Sequence, residues 1–97
     1  MDIRKAIVLN EKDNVATLLA DVDTNSMVQV TVGESMTKFR MQEEIRFGHK
    51  FATRKINEGE SVIKYGEPIG RATQDIEQGQ HVHVHSVESL RAQGDLL

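Results

Sequence analysis

The chain contains no cysteine, no tryptophan and a single proline, and its aromatic residues are only Phe39, Phe47, Phe51 and Tyr65. Without cysteine there is no disulfide, no thiolate nucleophile and no sulfur-ligated zinc or iron–sulfur centre. Scarce aromatics and a formal charge of −3, from 12 basic and 15 acidic residues, provide neither a stacking platform nor a basic stripe for nucleic acid. No apolar run approaches the roughly 18 residues that would span a bilayer. The opening MDIRKAIVLN lacks the long apolar stretch and small-residue cleavage site of a signal peptide. These absences lead to the expectation of a cytoplasmic domain with no nucleic-acid and no membrane partner. Ninety-seven residues allow one domain, 1–97, too small for a deep private cleft. The four histidines stand outside the charge sum, and protonating all of them would bring it to −3 + 4 = +1.

What is present is mostly strand signal. Ala6-Ile7-Val8-Leu9 and Val15-Ala16-Thr17-Leu18-Leu19 flank the turn-rich Asn10–Asn14, which predicts a hairpin with a five-residue loop. Val28-Gln29-Val30-Thr31-Val32 alternates strictly, so its three valines face one way. Lys38 to Met41 can return as its partner. One stretch reads as a short helix, Ser86 to Gln93, with Ser86 as N-cap and Gly94 as the stop.

The second half echoes itself. Ile45-x-x-Gly48, Ile56-x-x-Gly59 and Ile76-x-x-Gly79 share one pattern, followed within three residues by Phe51, Val62 and Val82. Each reads as an apolar anchor, a bend, a glycine at positive φ and a short strand. The step from Gly59 to Gly79 is nearly twice that from Gly48 to Gly59, too irregular for a solenoid. Tyr65 to Gly70 reads as a further turn, with Glu67 held extended by Pro68. The expectation is one mainly-β domain of short strands on tight turns.

The residues that can carry chemistry are few. In His81-Val82-His83-Val84-His85, a strand would project three imidazoles from one face and two valines from the other. Two imidazoles about 7 Å apart along a strand can converge on one cation, but three in a straight row cannot easily do so. A metal reading of His81, His83 and His85 therefore uses at most two of them plus a ligand from elsewhere. The alternative is an amphipathic strand with valines in the core and histidines in water. Gly48-His49-Lys50 offers close backbone approach, a proton carrier and an anion partner, or simply a polar turn. Lys64, beside Tyr65, can address a carboxylate or end a strand in solvent. Glu43-Glu44 and Glu58/Glu60 read as solvated charge.

Taken in order, G-H-K-x-A, I-x-x-G, V-I-K-Y-G, I-G and H-V-H-V-H resemble the N-terminal domain of the altronate/galactarate dehydratase family. They are also similar to the small subunit of sulfolactate sulfo-lyase. The resemblance is densest over 45–87, includes Asp13-Asn14-Val15-Ala16 near the start, and is weakest over 21–46. Ser86 stands where the family often has Asn. The resemblance implies a SAF-type β-clip fold and a large dehydratase subunit or domain as partner, with a homo-oligomer also allowed. It implies a sugar-acid substrate that loses water to give a 2-keto-3-deoxy acid, and a divalent metal, iron or manganese. On that basis His49 and His83 are expected to be catalytic, with Lys50, Lys64 and Tyr65 binding substrate and His81, His83 and His85 contacting metal. A non-catalytic module that binds carbohydrate acids, or a purely structural one, is the other class left open.

Overall fold

The computed structural model describes residues 3–32, 34–83 and 86–89. Its nine strands are β1 (Arg4–Ile7), β2 (Val15–Leu18), β3 (Met27–Val32), β4 (Ser35–Arg40), β5 (Lys50–Ala52), β6 (Ser61–Lys64), β7 (Glu67–Ala72), β8 (His81–Val82) and β9 (Val87–Ser89). Six form one sheet in the order β4-β3-β1-β2-β5-β8, and three form a second, β6-β7-β9. The mainly-β expectation holds, and no helix occurs among the described residues.

The expected hairpin is β1–β2, antiparallel with Ala6 opposite Leu18. The alternating valines lie on β3, where Val28 and Val30 are fully buried and Val32 packs against the same core. Apolar burial collects in two clusters. One centres on Leu18, Val28, Met41 and Phe51, and the other on Val15, Ile56, Val62, Ile76 and Val82.

The sequence echo turns out to be part of an internal duplication. Val22 bridges Ile45 in the first cluster, and Ile56 bridges Ile76 in the second. Four turns follow these anchors. The fourth, Val22-x-x-Asn25, is hidden in the sequence because Asn25 takes the place of glycine at φ 69°. Gly48, Gly59 and Gly79 hold φ of 85°, 88° and 85°. In each turn the positive-φ residue donates its N–H to a carbonyl in or next to a strand: Asn25 to Met41, Gly48 to Leu18, Gly59 to Ala72 and Gly79 to Ala52, at 2.8–2.9 Å. Val22 and Asn25 recur as Ile56 and Gly59 at one shared offset, and Ile45 and Gly48 recur as Ile76 and Gly79 at a slightly shorter one. The irregular glycine spacing is thus two interleaved regular ones. The two offsets differ because the stretch from Asn25 to Ile45, which holds the β3–β4 hairpin, is longer than its copy from Gly59 to Ile76.

Two local expectations are corrected. Val87–Ser89 pairs with β7 as a strand, Gly70 opposite Ser89 and Ala72 opposite Val87. The Ser86 hydroxyl is turned back onto His83 instead of capping a helix: Oγ donates to the His83 carbonyl at 3.0 Å. The rest of the expected helix, 90–93, lies outside the described residues. The turn read over Tyr65–Gly70 closes earlier, at Tyr65-Gly66, whose φ values of 58° and 73° are those of a two-residue hairpin loop. Gly70 instead sits inside β7, where an added Cβ would lie 2.6 Å from Val87 Cγ1 and 2.8 Å from the Glu88 carbonyl oxygen.

Candidate functional site

The edge of the larger sheet is the β5–β8 ladder, in which Lys50 pairs with Val82 and Phe51 with His81. Continuing that register sets His49 opposite His83. Two motifs far apart in the chain are thereby brought together. The His49 Nδ1 and His81 Nε2 atoms lie 3.1 Å apart, within hydrogen-bond distance, one nitrogen donating and the other accepting. The His49 and His81 rings meet edge to face with centroids 5.0 Å apart, and His83 lies 4.9 Å from His81 and 6.3 Å from His49. Phe51, on the same face as His81, is fully buried and closes the floor of this row towards the first core.

The described strand β8 ends at Val82. The buried Ser86 donates its N–H to the His83 carbonyl at 2.8 Å. His85 and Val84 lie outside the described residues.

Lys50 alternates with Phe51 and so projects from the opposite face of the ladder. Burial lowers its ammonium below the usual lysine range, and repulsion from the Lys64 ammonium lowers it further. Among the described residues neither lysine has a carboxylate within salt-bridge distance; the ion pairs are Arg46–Asp21 and Lys55–Glu77. The Lys64 Nζ stands 4.9 Å above the centre of the Tyr65 ring. The expected site residues therefore form two groups: His49, His81 and His83 on one face, and Lys50, Lys64 and Tyr65 on the other side.

The scaffold of the lysine group is not legible as such in the sequence. Asp13 accepts from the N–H groups of Tyr65 and Gly66 at 3.1 and 2.8 Å, fixing the hairpin loop that presents Lys64 and Tyr65. Asn14, fully buried, donates to the Ser61 carbonyl at 2.9 Å and accepts from the Ile63 N–H at 2.8 Å. Glu43, read as solvated charge, instead accepts from the His81 N–H at 3.0 Å and steadies β8 beneath its imidazole. Glu60 likewise closes its own turn on the Asn57 N–H. The only hint of these roles is the Asp13-Asn14 pair ahead of a strand, a pairing that equally marks an ordinary turn.

Among the described residues a resident divalent metal finds no complete cage. The His49 and His81 nitrogens are close enough to share a cation, but they face each other in a hydrogen bond. Among the described residues no three His, Asp or Glu side chains are arranged to hold a metal ion. The described donor set does not fit such a group on its own.

This arrangement defines a small β domain with imidazoles on one face of a sheet edge and lysines on the other side. A family profile described as the altronate/galactarate dehydratase SAF domain matches residues 4–90. The chain belongs to that family. It is 36% identical over 87 residues, 90% of its length, to altronate dehydratase of Bacillus subtilis (strain 168), covering 17% of that protein. It is 41% identical over 83 residues to altronate dehydratase of Escherichia coli (strain K12), covering 86% of this chain and 16% of that protein. It is also 50% identical over 54 residues to the (2R)-sulfolactate sulfo-lyase subunit alpha of Chromohalobacter salexigens, covering 56% of this chain and 57% of that subunit. The chain thus spans under a fifth of the altronate dehydratases and just over half of that sulfo-lyase subunit. No described helix is long and apolar enough to cross a membrane.

Proposed function

We propose that this domain supplies part of the active site of a sugar-acid dehydratase of the altronate/galactarate type, working with a larger catalytic polypeptide or domain. The observation that carries the reading is the β5–β8 ladder, which gathers His49, Lys50, His81 and His83 from two separate motifs at one sheet edge. Lys50 and Lys64 form a like-charged pair without a described counter-ion, which suits the carboxylate of a hexonate or hexarate. The hydrogen-bonded His49–His81 pair, with His83 beside it, suits proton transfer.

The proposed reaction is a β-elimination. The C–H bond next to the substrate carboxylate breaks, its electron pair forms the C=C bond, and the β-hydroxyl leaves as water after taking up a proton. The resulting enol tautomerises to the 2-keto-3-deoxy acid. Lys50 and Lys64 hold the carboxylate where negative charge builds up, and Tyr65 braces Lys64 from below. To reach both groups the substrate lies across the β8 edge of the sheet, and the imidazoles on the other face exchange protons at the departing hydroxyl. The larger polypeptide closes over the edge and excludes water.

A second reading has its own support. The similarity to a (2R)-sulfolactate sulfo-lyase subunit alpha favours elimination of sulfite in place of water, with the same bond broken beside the carboxylate. The two are separated by co-expressing the chain with the large lyase-type polypeptide of the same genome. Keto-acid formation is then followed from altronate, galactarate and (2R)-sulfolactate. Turnover of a sugar acid supports the dehydratase, turnover of sulfolactate alone supports the sulfo-lyase, and turnover of none by a complex that forms rejects both.

A further inference from the structure

Far from the histidine edge, the other end of the six-stranded sheet leaves one face uncovered among the described residues. The register places Ile7, Thr31 and Met36 in a row across β1, β3 and β4, on the face opposite the buried Ala6, Val28 and Val30. A second row runs Lys5, Gln29 and Lys38, and Leu19 joins it through its N–H bond to the Lys5 carbonyl. Met27 and Arg40 pair in a third. Five of the eight exposed large hydrophobic residues described, Ile3, Ile7, Leu19, Met27 and Met36, lie here, with Met36 60% and Leu19 51% exposed. A groove of about 610 Å³, lined by Ile3, Arg4, Asp23, Met27, Gln29 and Lys38, indents the face at this end.

We infer that this face docks an apolar surface rimmed by carboxylates on the larger lyase polypeptide, an inference that rests on the reading that such a polypeptide accompanies the domain. Isolated exposed apolar residues need no explanation, but a concentration of them on one sheet face marks an interaction surface. The polar positions of the three rows carry Lys5, Lys38 and Arg40 and no Asp or Glu. A second copy docking by two-fold symmetry would set these cations against their own kind, whereas an acidic rim complements them. The internal duplication points the same way. The β7 strand is covered on its far edge by β9, while β4, its counterpart in the first copy, is the edge strand of its sheet among the described residues. The altronate dehydratases to which the chain is similar are about six times the matched length, so there is ample polypeptide to supply the cover.

The test measures the affinity of the purified chain for the large lyase-type polypeptide of the same genome. Met36→Glu and Lys38→Glu alter exposed side chains, and a melting midpoint equal to wild type shows that each still folds. Each is expected to weaken binding at least tenfold, while Glu58→Lys on the other lobe leaves it unchanged. Wild-type binding with both variants within twofold of it overturns the docking face and leaves the proposed function standing. A wild-type chain that fails to bind at all overturns the proposed function, and the docking inference with it. A wild-type dimer that Met36→Glu turns into a monomer, at unchanged affinity for the large polypeptide, also overturns it and gives the face to a second copy.

Discussion

The Nδ1 of His49 and the Nε2 of His81 are hydrogen-bond partners at 3.1 Å, although 32 residues separate them. One belongs to a glycine turn and the other to a two-residue strand, so neither motif makes the pair by itself. Their meeting depends on the antiparallel β5–β8 register and on the Glu43 carboxylate that holds the His81 N–H. Glu43→Gln keeps an acceptor for that N–H, whereas Glu43→Ala removes it. We expect Glu43→Ala to lower turnover of the partner complex about tenfold and Glu43→Gln to restore most of it. Equal losses in both variants would show that Glu43 does not act through this bond.

Lys50 gives the domain a pH-dependent stability. Burial, then Lys64, lowers its ammonium below the usual 10.5, so between the lowered value and 10.5 the folded chain holds fewer protons at this site than the unfolded chain. Below that interval the folded state carries the full cost of the charge, and the cost is relieved as pH rises through it. Lys50→Met should therefore raise the thermal midpoint at pH 7, with the gain shrinking as pH approaches 10.5. A gain of the same size at both pH values would show that charge is not its cause.

Asn14 ties the two sheets together. Replacing it with Ala leaves the Ile63 N–H and the Ser61 carbonyl without their partner in a buried setting. The expected loss is about 2–4 kcal/mol by urea unfolding. Because the Lys64–Tyr65 hairpin rests on the same strand, substrate KM should rise in the complex as well. A loss under about 1 kcal/mol would contradict this account.

The four turns tolerate substitution unequally. Gly59 and Gly79 share nearly the same φ, but a Cβ at Gly59 meets open space while one at Gly79 runs into the Arg40 backbone carbonyl. Gly59→Ala should cost about 1 kcal/mol for the left-handed backbone alone. Gly79→Ala should cost about 3 kcal/mol or more, because backbone must also move. Equal values by denaturant unfolding would remove the close approach as a cause.

These contacts also mark where sequence reading stops. Alternation along β3 and the glycines of three turns are local signals, and each leads to the right element. The fourth turn escapes because Asn25 reaches positive φ without being glycine. Ser86 ahead of Val87-Glu88 is locally the same for a helix start and for a strand start. What decides is the distant Gly70, whose missing side chain lets Val87 and Glu88 lie against β7. His81 and His83 are legible as candidates from their alternation, and His49 from its place after Gly48. The facing of His49 on His81, and the separation of Lys50 and Lys64 onto another side, come from pairings between distant segments.

The central claim is that this domain contributes a proton-handling imidazole pair to a lyase completed by a larger polypeptide. The most direct measurement is kcat of the co-expressed complex for wild type, His49→Ala, His81→Ala and the double variant, on the acid that wild type turns over. Groups that act as one unit are not additive. Each single variant should fall about 100-fold or more, with the double variant no worse than the lower single. Single variants that turn over at the wild-type rate would contradict the claim.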